Sequence, residues 1–374
     1  MKILITGGGT GGHIIPALAI LEIIKEKYIN CQVLYVGGKN SLEEELAQKE
    51  GYEFKAIKTG YLERKIISLN NLKSIFKNVY GLFQSLGIIK KFSPDIIIGT
   101  GGYVSGTVVL SGKILKKNIV IHEQNAHPGI TNRIAGKFAD KIMISFNKAS
   151  NYFKNKDKIV FTGNPVRKEI MESDFEESRK FFKLDSKDFF VYSFGGSGGQ
   201  RSINNAILDS IEEISKIKNL KWLHITGKNH FKKFVSNISS RNLKTPENLV
   251  IKDYMYDAPK ALKASDLIIG SAGAISITEI IYLNKPCILI PKKYTAENHQ
   301  YFNAKEIQER GAGYLILEDD LNKETLLEHV KLLMNNSQKR NEMINNSRKI
   351  FNIDFENNII KIIDEILRSE VNEK

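Results

Sequence analysis

The chain has 374 residues, 42% hydrophobic and 26% charged, proportions that exclude a disordered polymer and suit two domains rather than one core. Two cysteines cannot form a disulfide framework, and Cys31 and Cys287 read as small core residues where strands begin. The formal net charge of +13 asks for an acidic partner: nucleic acid, an anionic membrane surface or a phosphorylated substrate.

No apolar run approaches the roughly 20 residues that span a bilayer. Met1 to Thr6 run straight into glycines with no room for a signal peptide, so the expectation is a cytoplasmic, non-integral protein. Short apolar runs then alternate with helical periods, the pattern of parallel sheets covered by helices. Strands are predicted near 2–6, 32–36, 95–99, 118–122 and 141–145, with helices near 16–28, 41–50, 70–91, 104–115 and 129–138. A helix entered at Pro16 follows the first glycines.

The run Thr162-Gly163-Asn164-Pro165-Val166-Arg167 breaks either periodicity and marks the join between halves. Beyond it strands are predicted near 189–194, 221–226, 249–251, 266–270, 286–290 and 313–316. Helices fall near 201–217, 256–264, 274–283, 298–310 and 323–335, and an amphipathic helix over 355–367 returns to the first half. The expected domains are therefore 1–164 and 165–352, with 353–374 packing back on the first. The fold class is α/β: two Rossmann-like parallel-sheet domains facing each other across a cleft.

One stretch concentrates the positive charge. Lys55, Lys58, Arg64, Lys65, Lys73, Lys77, Lys90 and Lys91 face a single acid, Glu63, and Leu72, Phe76, Val79, Leu82 and Phe83 recur at helical spacing among them. This reads as a membrane-surface face or, equally, as a helix packed on its sheet with a solvated lysine side.

Four glycine-rich loops follow strands. The first, Gly7 to Gly12 with His13, lets the backbone approach a ligand closely and leads into a helix N-terminus with unpaired N–H groups. It is not a dinucleotide fingerprint, because Tyr35-Val36-Gly37-Gly38 stand where a ribose-binding acid would be. The second, Gly99 to Gly106, would line the same crevice. The third, Gly195-Gly196-Ser197-Gly198-Gly199-Gln200, is the best phosphate cradle. A helix dipole gives roughly 0.3–1 kcal/mol, too little for a diphosphate, so Arg167 and Arg201 are candidates for cationic help. In the fourth, Gly270 to Glu279, small residues leave room for a flat ligand and Glu279 is placed to accept both hydroxyls of a ribose.

Two polar clusters complete the set: His122-Glu123-Gln124-Asn125 at a strand end, and Asn298-His299-Gln300 ahead of a helix, suited to sugar hydroxyls. No HExxH, CxxC or Asp-x-Asp pattern calls for a metal, and no cofactor is expected. The aromatic platforms of a nucleic-acid binder are missing.

The segments GGGTGGH (7–13), TGGYVSG (100–106), HEQN (122–125), GNPVR (163–167), GGSGGQ (195–200), GSAGAISITE (270–279) and NHQYFNA (298–304) occur in this order over nearly the whole chain. Together they resemble glycosyltransferase family 28, the MurG family. The resemblance implies the GT-B fold and an inverting, metal-free transfer of GlcNAc from UDP-GlcNAc to the MurNAc 4-hydroxyl of undecaprenyl-diphospho-MurNAc-pentapeptide, turning lipid I into lipid II. It implies an acceptor- and membrane-facing first domain and a donor-binding second domain. The protein would be peripheral on the cytoplasmic face of the cell membrane, with other cell-wall synthesis proteins as further partners.

By the same resemblance, Thr10, Gly11, Gly12, Asn125, Arg167, Ser197, Met255, Ala274, Ile275, Glu279 and Gln300 match donor contacts. Gly101, Gly102, Tyr103 and Ser105 match the wall that meets the acceptor diphosphate, and Leu72, Lys73, Phe76, Lys77, Val79, Leu82 and Phe83 match the membrane-docking region. Ser271 and Ala272 depart from the family, many of whose members have Arg followed by Ser or Ala there. Inversion needs a base on the attacking hydroxyl. His13 is the first candidate, kept neutral by burial near a positive helix end, and Glu123 is the second. Other readings are a different GT-B enzyme, such as a glycolipid synthase or UDP-GlcNAc 2-epimerase, and a non-catalytic nucleotide-sugar-binding protein.

Overall fold

The structure is a computed structural model that describes residues 1–60, 69–196, 198–350 and 354–372. The chain divides into two units, Met1–Pro165 with Ile353–Lys374, and Val166–Asn352.

In chain order the first unit contains β1 (Lys2–Thr6), α1 (Gly11–Lys27), β2 (Gln32–Gly38), α2 (Leu42–Lys49), β3 (Glu53–Ile57), α3 (Leu69–Phe92), β4 (Ile96–Gly99), α4 (Gly102–Ile114), β5 (Asn118–Glu123), α5 (Ile130–Ala135), β6 (Lys141–Ile144) and β7 (Ile159–Phe161). These strands form one parallel sheet in the order β3-β2-β1-β4-β5-β6-β7. The central strands β1 and β4 read Lys-Ile-Leu-Ile-Thr and Ile-Ile-Ile-Gly. Such near-continuous apolar runs suit strands covered on both faces.

The second unit contains α6 (Lys168–Met171), α7 (Phe175–Phe181), β8 (Phe189–Phe194), α8 (Arg201–Ser215), β9 (Leu220–Ile225), α9 (Lys228–Ser240), β10 (Leu249–Lys252), α10 (Ala258–Ala264), β11 (Leu267–Gly270), α11 (Ala274–Tyr282), β12 (Cys287–Leu289), α12 (His299–Glu309), β13 (Tyr314–Leu315), α13 (Lys323–Asn335) and α14 (Ser337–Ile350). Its parallel sheet runs β10-β9-β8-β11-β12-β13. Trp222 is buried at the core of this unit among Val191, Ile207, Ile211 and Ile269. The last helix, α15 (Phe355–Asn372), belongs to the first unit. It buries Phe355, Ile359, Ile362, Ile363 and Ile366, packs on α1, and is pinned by Tyr28–Asp364 and Lys141–Glu365 pairs.

Several elements differ from those the sequence suggests. β3, β7, α6, α7, α9 and α14 are additional. β3 is an edge strand whose Glu53 and Lys55 are exposed and whose one fully buried residue is Ile57. α9 buries only Phe234 and Ile238, and α14 only Met343 and Ser347, too little for a helical period to stand out. α1 starts at Gly11 rather than Pro16, so Pro16 lies inside the helix and has no N–H to offer the Gly12 carbonyl. His13 therefore sits on the first turn of α1, not in the loop before it.

Candidate functional site

In each sheet the chain winds outward in one direction and then returns to the other side of the first strand. The switch points fall at β1/β4 and at β8/β11, where ligands of open α/β sheets bind beyond the strand ends. All four glycine loops emerge there.

At β1/β4 the two loops interlock. Gly8 N–H donates to the Gly101 carbonyl at 3.2 Å and Thr100 N–H to the Thr6 carbonyl at 2.9 Å. A Cβ on Gly102, which has φ +86°, would lie 2.1 Å from the Gly8 carbonyl oxygen, so only glycine permits this approach. Thr10, Gly11 and Gly12 form the start of α1. Thr10 accepts there through its backbone, no side chain caps the helix, and its first turn has no acid, leaving it receptive to an anion. Tyr103 stands against Gly9, and Gly101 and Gly102 open α4. Ser105 is buried beneath Gly99, so among the expected acceptor contacts its hydroxyl is turned inward.

His13 is half-buried rather than buried as expected, because it stands on an exposed helix start. Its Nδ1 is 3.1 Å from the Thr100 carbonyl and 3.2 Å from Gln124 Oε1. Behind it the HEQN segment forms a buried network rather than four ligand-facing side chains. Gln124 Nε2 donates to the Thr100 and His122 carbonyls, both at 2.9 Å. His122 bonds the Gly163 carbonyl at 3.1 Å through Nε2, and its burial lowers its pKa to about 4. Glu123 accepts from Asn125 N–H, Asn125 Nδ2, Gly129 N–H and Asn132 Nδ2. Burial pushes its carboxyl up against these four donors. Glu123 thus braces the 125–129 turn, and Asn125, half-buried, is held by it.

At β8/β11 the third loop runs from β8 into α8, whose N-cap, Gln200, makes no side-chain cap. Ser197 lies outside the described residues. Gly199 has φ +75°, and a Cβ there would meet the Thr226 carbonyl oxygen at 2.1 Å. The fourth loop enters α11, again with no acid in the first turn. Arg167 and Glu279 meet as a two-point pair: Nε to Oε1 is 2.6 Å and Nη2 to Oε2 is 3.1 Å. The Glu279 side chain is 7% exposed and that of Arg167 is 41% exposed. Burial raises the Glu279 carboxyl, opposed by Arg167; burial works against the Arg167 charge, and Glu279 outweighs it.

Met255 and Ala274 are buried, and Ile275 is half-buried at the start of α11. Gln300 is buried on the first turn of α12, its Oε1 accepting from Lys292 N–H at 2.9 Å. Arg201 is exposed on α8.

Two further residues belong to these loops and were missed from sequence. Lys292, just past β12, places Nζ 2.9 Å from the Gly199 carbonyl, and a Cβ on Gly196 would meet both Ser271 Oγ at 3.1 Å and Lys292 Nζ at 3.9 Å. Its partial burial lowers its pKa. The available signal was a lysine directly after an apolar strand and Pro291 at the ligand end of a sheet. Glu43, buried on α2, accepts from Gly38 N–H at 3.1 Å and Gly9 N–H at 3.4 Å, bracing the first loop from below.

On α3, Gly81, Ser85 and Ile89 are buried, while Ile75, Phe76, Val79, Tyr80 and Phe83 face outward. Phe76 is 68% and Phe83 66% exposed, Leu82 is half-buried and Lys77 exposed. The side chains of Leu72 and Lys73 lie outside the described residues. Among the described residues no helix is long and apolar enough to cross a membrane.

Comparison with known proteins agrees along both units. The glycosyltransferase family 28 N-terminal domain matches residues 3–144 and the family 28 C-terminal domain residues 190–362. A UDP-N-acetylglucosamine–N-acetylmuramyl-(pentapeptide) pyrophosphoryl-undecaprenol N-acetylglucosamine transferase of Desulforamulus reducens is 40% identical over 98% of this chain and 99% of its own. The protein of the same name from Clostridioides difficile is 44% identical over 94% of this chain and 85% of its own. The crystal structure of MurG from Acinetobacter baumannii superposes with a TM-score of 0.76 at 23% identity, covering 97% of this chain and 99% of that one. A putative UDP-N-acetylglucosamine 2-epimerase from Listeria monocytogenes gives a TM-score of 0.70 at 15% identity, covering 100% and 97%, a likeness of fold alone. The architecture is thus the expected GT-B class of two Rossmann-like domains, and the chain belongs to glycosyltransferase family 28.

Proposed function

We propose that this protein transfers GlcNAc from UDP-GlcNAc to the 4-hydroxyl of MurNAc in undecaprenyl-diphospho-MurNAc-pentapeptide, converting lipid I to lipid II in peptidoglycan synthesis. The observation that carries this reading is the name shared by relatives such as that of D. reducens, at 40% identity along 98% of the chain. The fold alone would suit an epimerase equally well.

The donor is assigned to the second unit. Helix N-termini without acids, at α8 and α11, favour its phosphates, and Lys292 adds a cation at the third loop. On the resemblance, Arg167 is assigned to the diphosphate and Glu279 to the ribose, with Met255, Ala274, Ile275 and Gln300 assigned to uracil and sugar. The acceptor diphosphate is assigned to the glycines and Tyr103 at β1/β4, and the resemblance adds Thr10, Gly11, Gly12 and Asn125 to the donor contacts. His13 acts as base: it takes the proton of the 4-hydroxyl as that oxygen attacks the anomeric carbon, and the bond to the UDP oxygen breaks with its electron pair leaving on UDP.

The outward apolar stripe of α3, beside Lys77, supports docking on the anionic cytoplasmic face of the membrane, where the lipid acceptor lies. Other cell-wall synthesis proteins are further partners on this reading. The test is to incubate the purified protein with radiolabelled UDP-GlcNAc and a soluble lipid I analogue. Label passing to the analogue supports the reading; hydrolysis or epimerisation without transfer overturns it.

A further inference from the structure

We propose that Gln124 is a positioning residue that holds His13 in the Nδ1-protonated tautomer, making Nε2 the nitrogen that receives the acceptor's proton. This rests on the reading of His13 as base.

The Gly163 carbonyl, 3.1 Å from His122 Nε2, can only accept, so Nε2 carries the hydrogen and His122 Nδ1 is an acceptor. Gln124 Nε2 lies 3.0 Å from that Nδ1 and 2.9 Å from the carbonyls of Thr100 and His122. Three acceptors surround this end of the amide, so it must be the NH2 end; the reverse orientation would press an oxygen against two carbonyl oxygens. Oε1 is thereby fixed toward His13, 3.2 Å from Nδ1. The Thr100 carbonyl is a second acceptor, 3.1 Å from the same Nδ1. Neither oxygen can donate, so Nδ1 carries the ring hydrogen and the neutral ring's lone pair sits on Nε2.

Two features keep this arrangement in place. A Cβ on Gly101 would lie 2.8 Å from His13 Nδ1 and 2.9 Å from Cε1, so the ring rests directly on that glycine. Burial keeps His122 neutral down to about pH 4, and its Nδ1 therefore stays an acceptor at working pH. When Nε2 takes the 4-hydroxyl proton, the imidazolium charge is shared with Nδ1–H, which the Thr100 carbonyl and Gln124 Oε1 both accept; the proton later leaves to solvent. The titratable groups on the surrounding elements are Glu43 on α2, Tyr103 on α4, and His122 and Glu123 on β5. Of these only His122 touches Gln124, and a change at position 124 takes the donor from its Nδ1.

The first arm of the test reads the wild-type ring directly. Protein carrying 15N-labelled histidine is examined by long-range 1H–15N correlation, with a His13→Gln sample to assign the signal. A neutral ring protonated at Nδ1 is expected; a ring protonated at Nε2 overturns the proposal. The second arm is Gln124→Met, similar in length but without the acceptor for His13 or the NH2 donor of the network behind it. Its kcat should fall about tenfold or more, and the acid limb of its pH–rate profile should move down by about half a unit or more, with UDP affinity within about twofold of wild type. An unmoved acid limb with wild-type kcat overturns it, and if the variant does not fold the wild-type spectrum decides. Wild-type turnover by His13→Gln would defeat the base reading instead, a result distinguishable from either.

Discussion

Removing the Arg167 side chain should destabilise the second unit chiefly because of what it leaves behind. In Arg167→Met the Glu279 carboxylate, 7% exposed and bonded to the guanidinium at 2.6 and 3.1 Å, loses its counter-charge. Removing one partner of a buried pair costs about 3–5 kcal/mol. Arg167 is 41% exposed, and solvent screening brings the expectation to about 2–3 kcal/mol. Arg167→Met/Glu279→Gln removes both charges and should recover at least half of the loss. The assay is urea unfolding followed by the fluorescence of Trp222, the chain's one tryptophan, 1% exposed in the core of this unit. Burial raises the Glu279 pKa, and losing Arg167 raises it further. The loss in the single variant is therefore full at alkaline pH and shrinks as pH falls through that raised pKa. A single variant within about 0.5 kcal/mol of wild type, or a double variant as unstable as the single, would mean that the stranded Glu279 charge is not the source of the loss.

Other consequences are open to simple measurements. Burial holds His122 at about 4 and His224 at about 3, well below the roughly 6.5 of an unfolded histidine. Both units should keep full stability above about pH 6.5 and lose it as pH falls toward 4, by about 3 kcal/mol for each histidine. A urea midpoint at Trp222 that stays flat over this window would contradict this for the second unit. Lys292→Gln should weaken UDP about tenfold or more, the loss of one charge-assisted hydrogen bond, and leave uridine unaffected. Calorimetry showing equal loss for both ligands would remove Lys292 from the phosphates. Phe76→Ser/Phe83→Ser should cut binding to anionic vesicles at least about tenfold without altering the melting temperature, since both rings are already in solvent. Unchanged sedimentation with vesicles would leave α3 without that role.

What could be read from the sequence was whatever is local. The glycine loops stood out because their constraint acts within a few residues: Gly102 and Gly199 take backbone conformations that side chains avoid. The central strands were readable from unbroken apolar runs. Contacts that join distant residues were not. His13 and Gln124 are 111 positions apart, Arg167 and Glu279 are 112 apart, and Lys292 meets Gly199 across 93. Motif reading offered Glu123 as a candidate base, while the four N–H donors that its carboxylate accepts from, spread over residues 125–132, left no mark in the motif. Helix α14 escaped for the opposite reason, having almost nothing to bury. The stripe on α3 was legible as a pattern, but which side faced the protein depended on the close approach of Gly81 to Lys58, where a Cβ would meet the carbonyl oxygen at 2.1 Å.

The sugar transfer is tested at its outcome, the structure of the product. Wild-type protein is given UDP-GlcNAc and a soluble lipid I analogue in the presence of a chelator, and the disaccharide is examined by NMR with UDP release counted alongside. The expected product carries a β-1,4 linkage from GlcNAc to MurNAc, inverted from the α-linked donor, with one UDP released per disaccharide. An α linkage, a dependence on added divalent metal, or UDP released with only free sugar would contradict it.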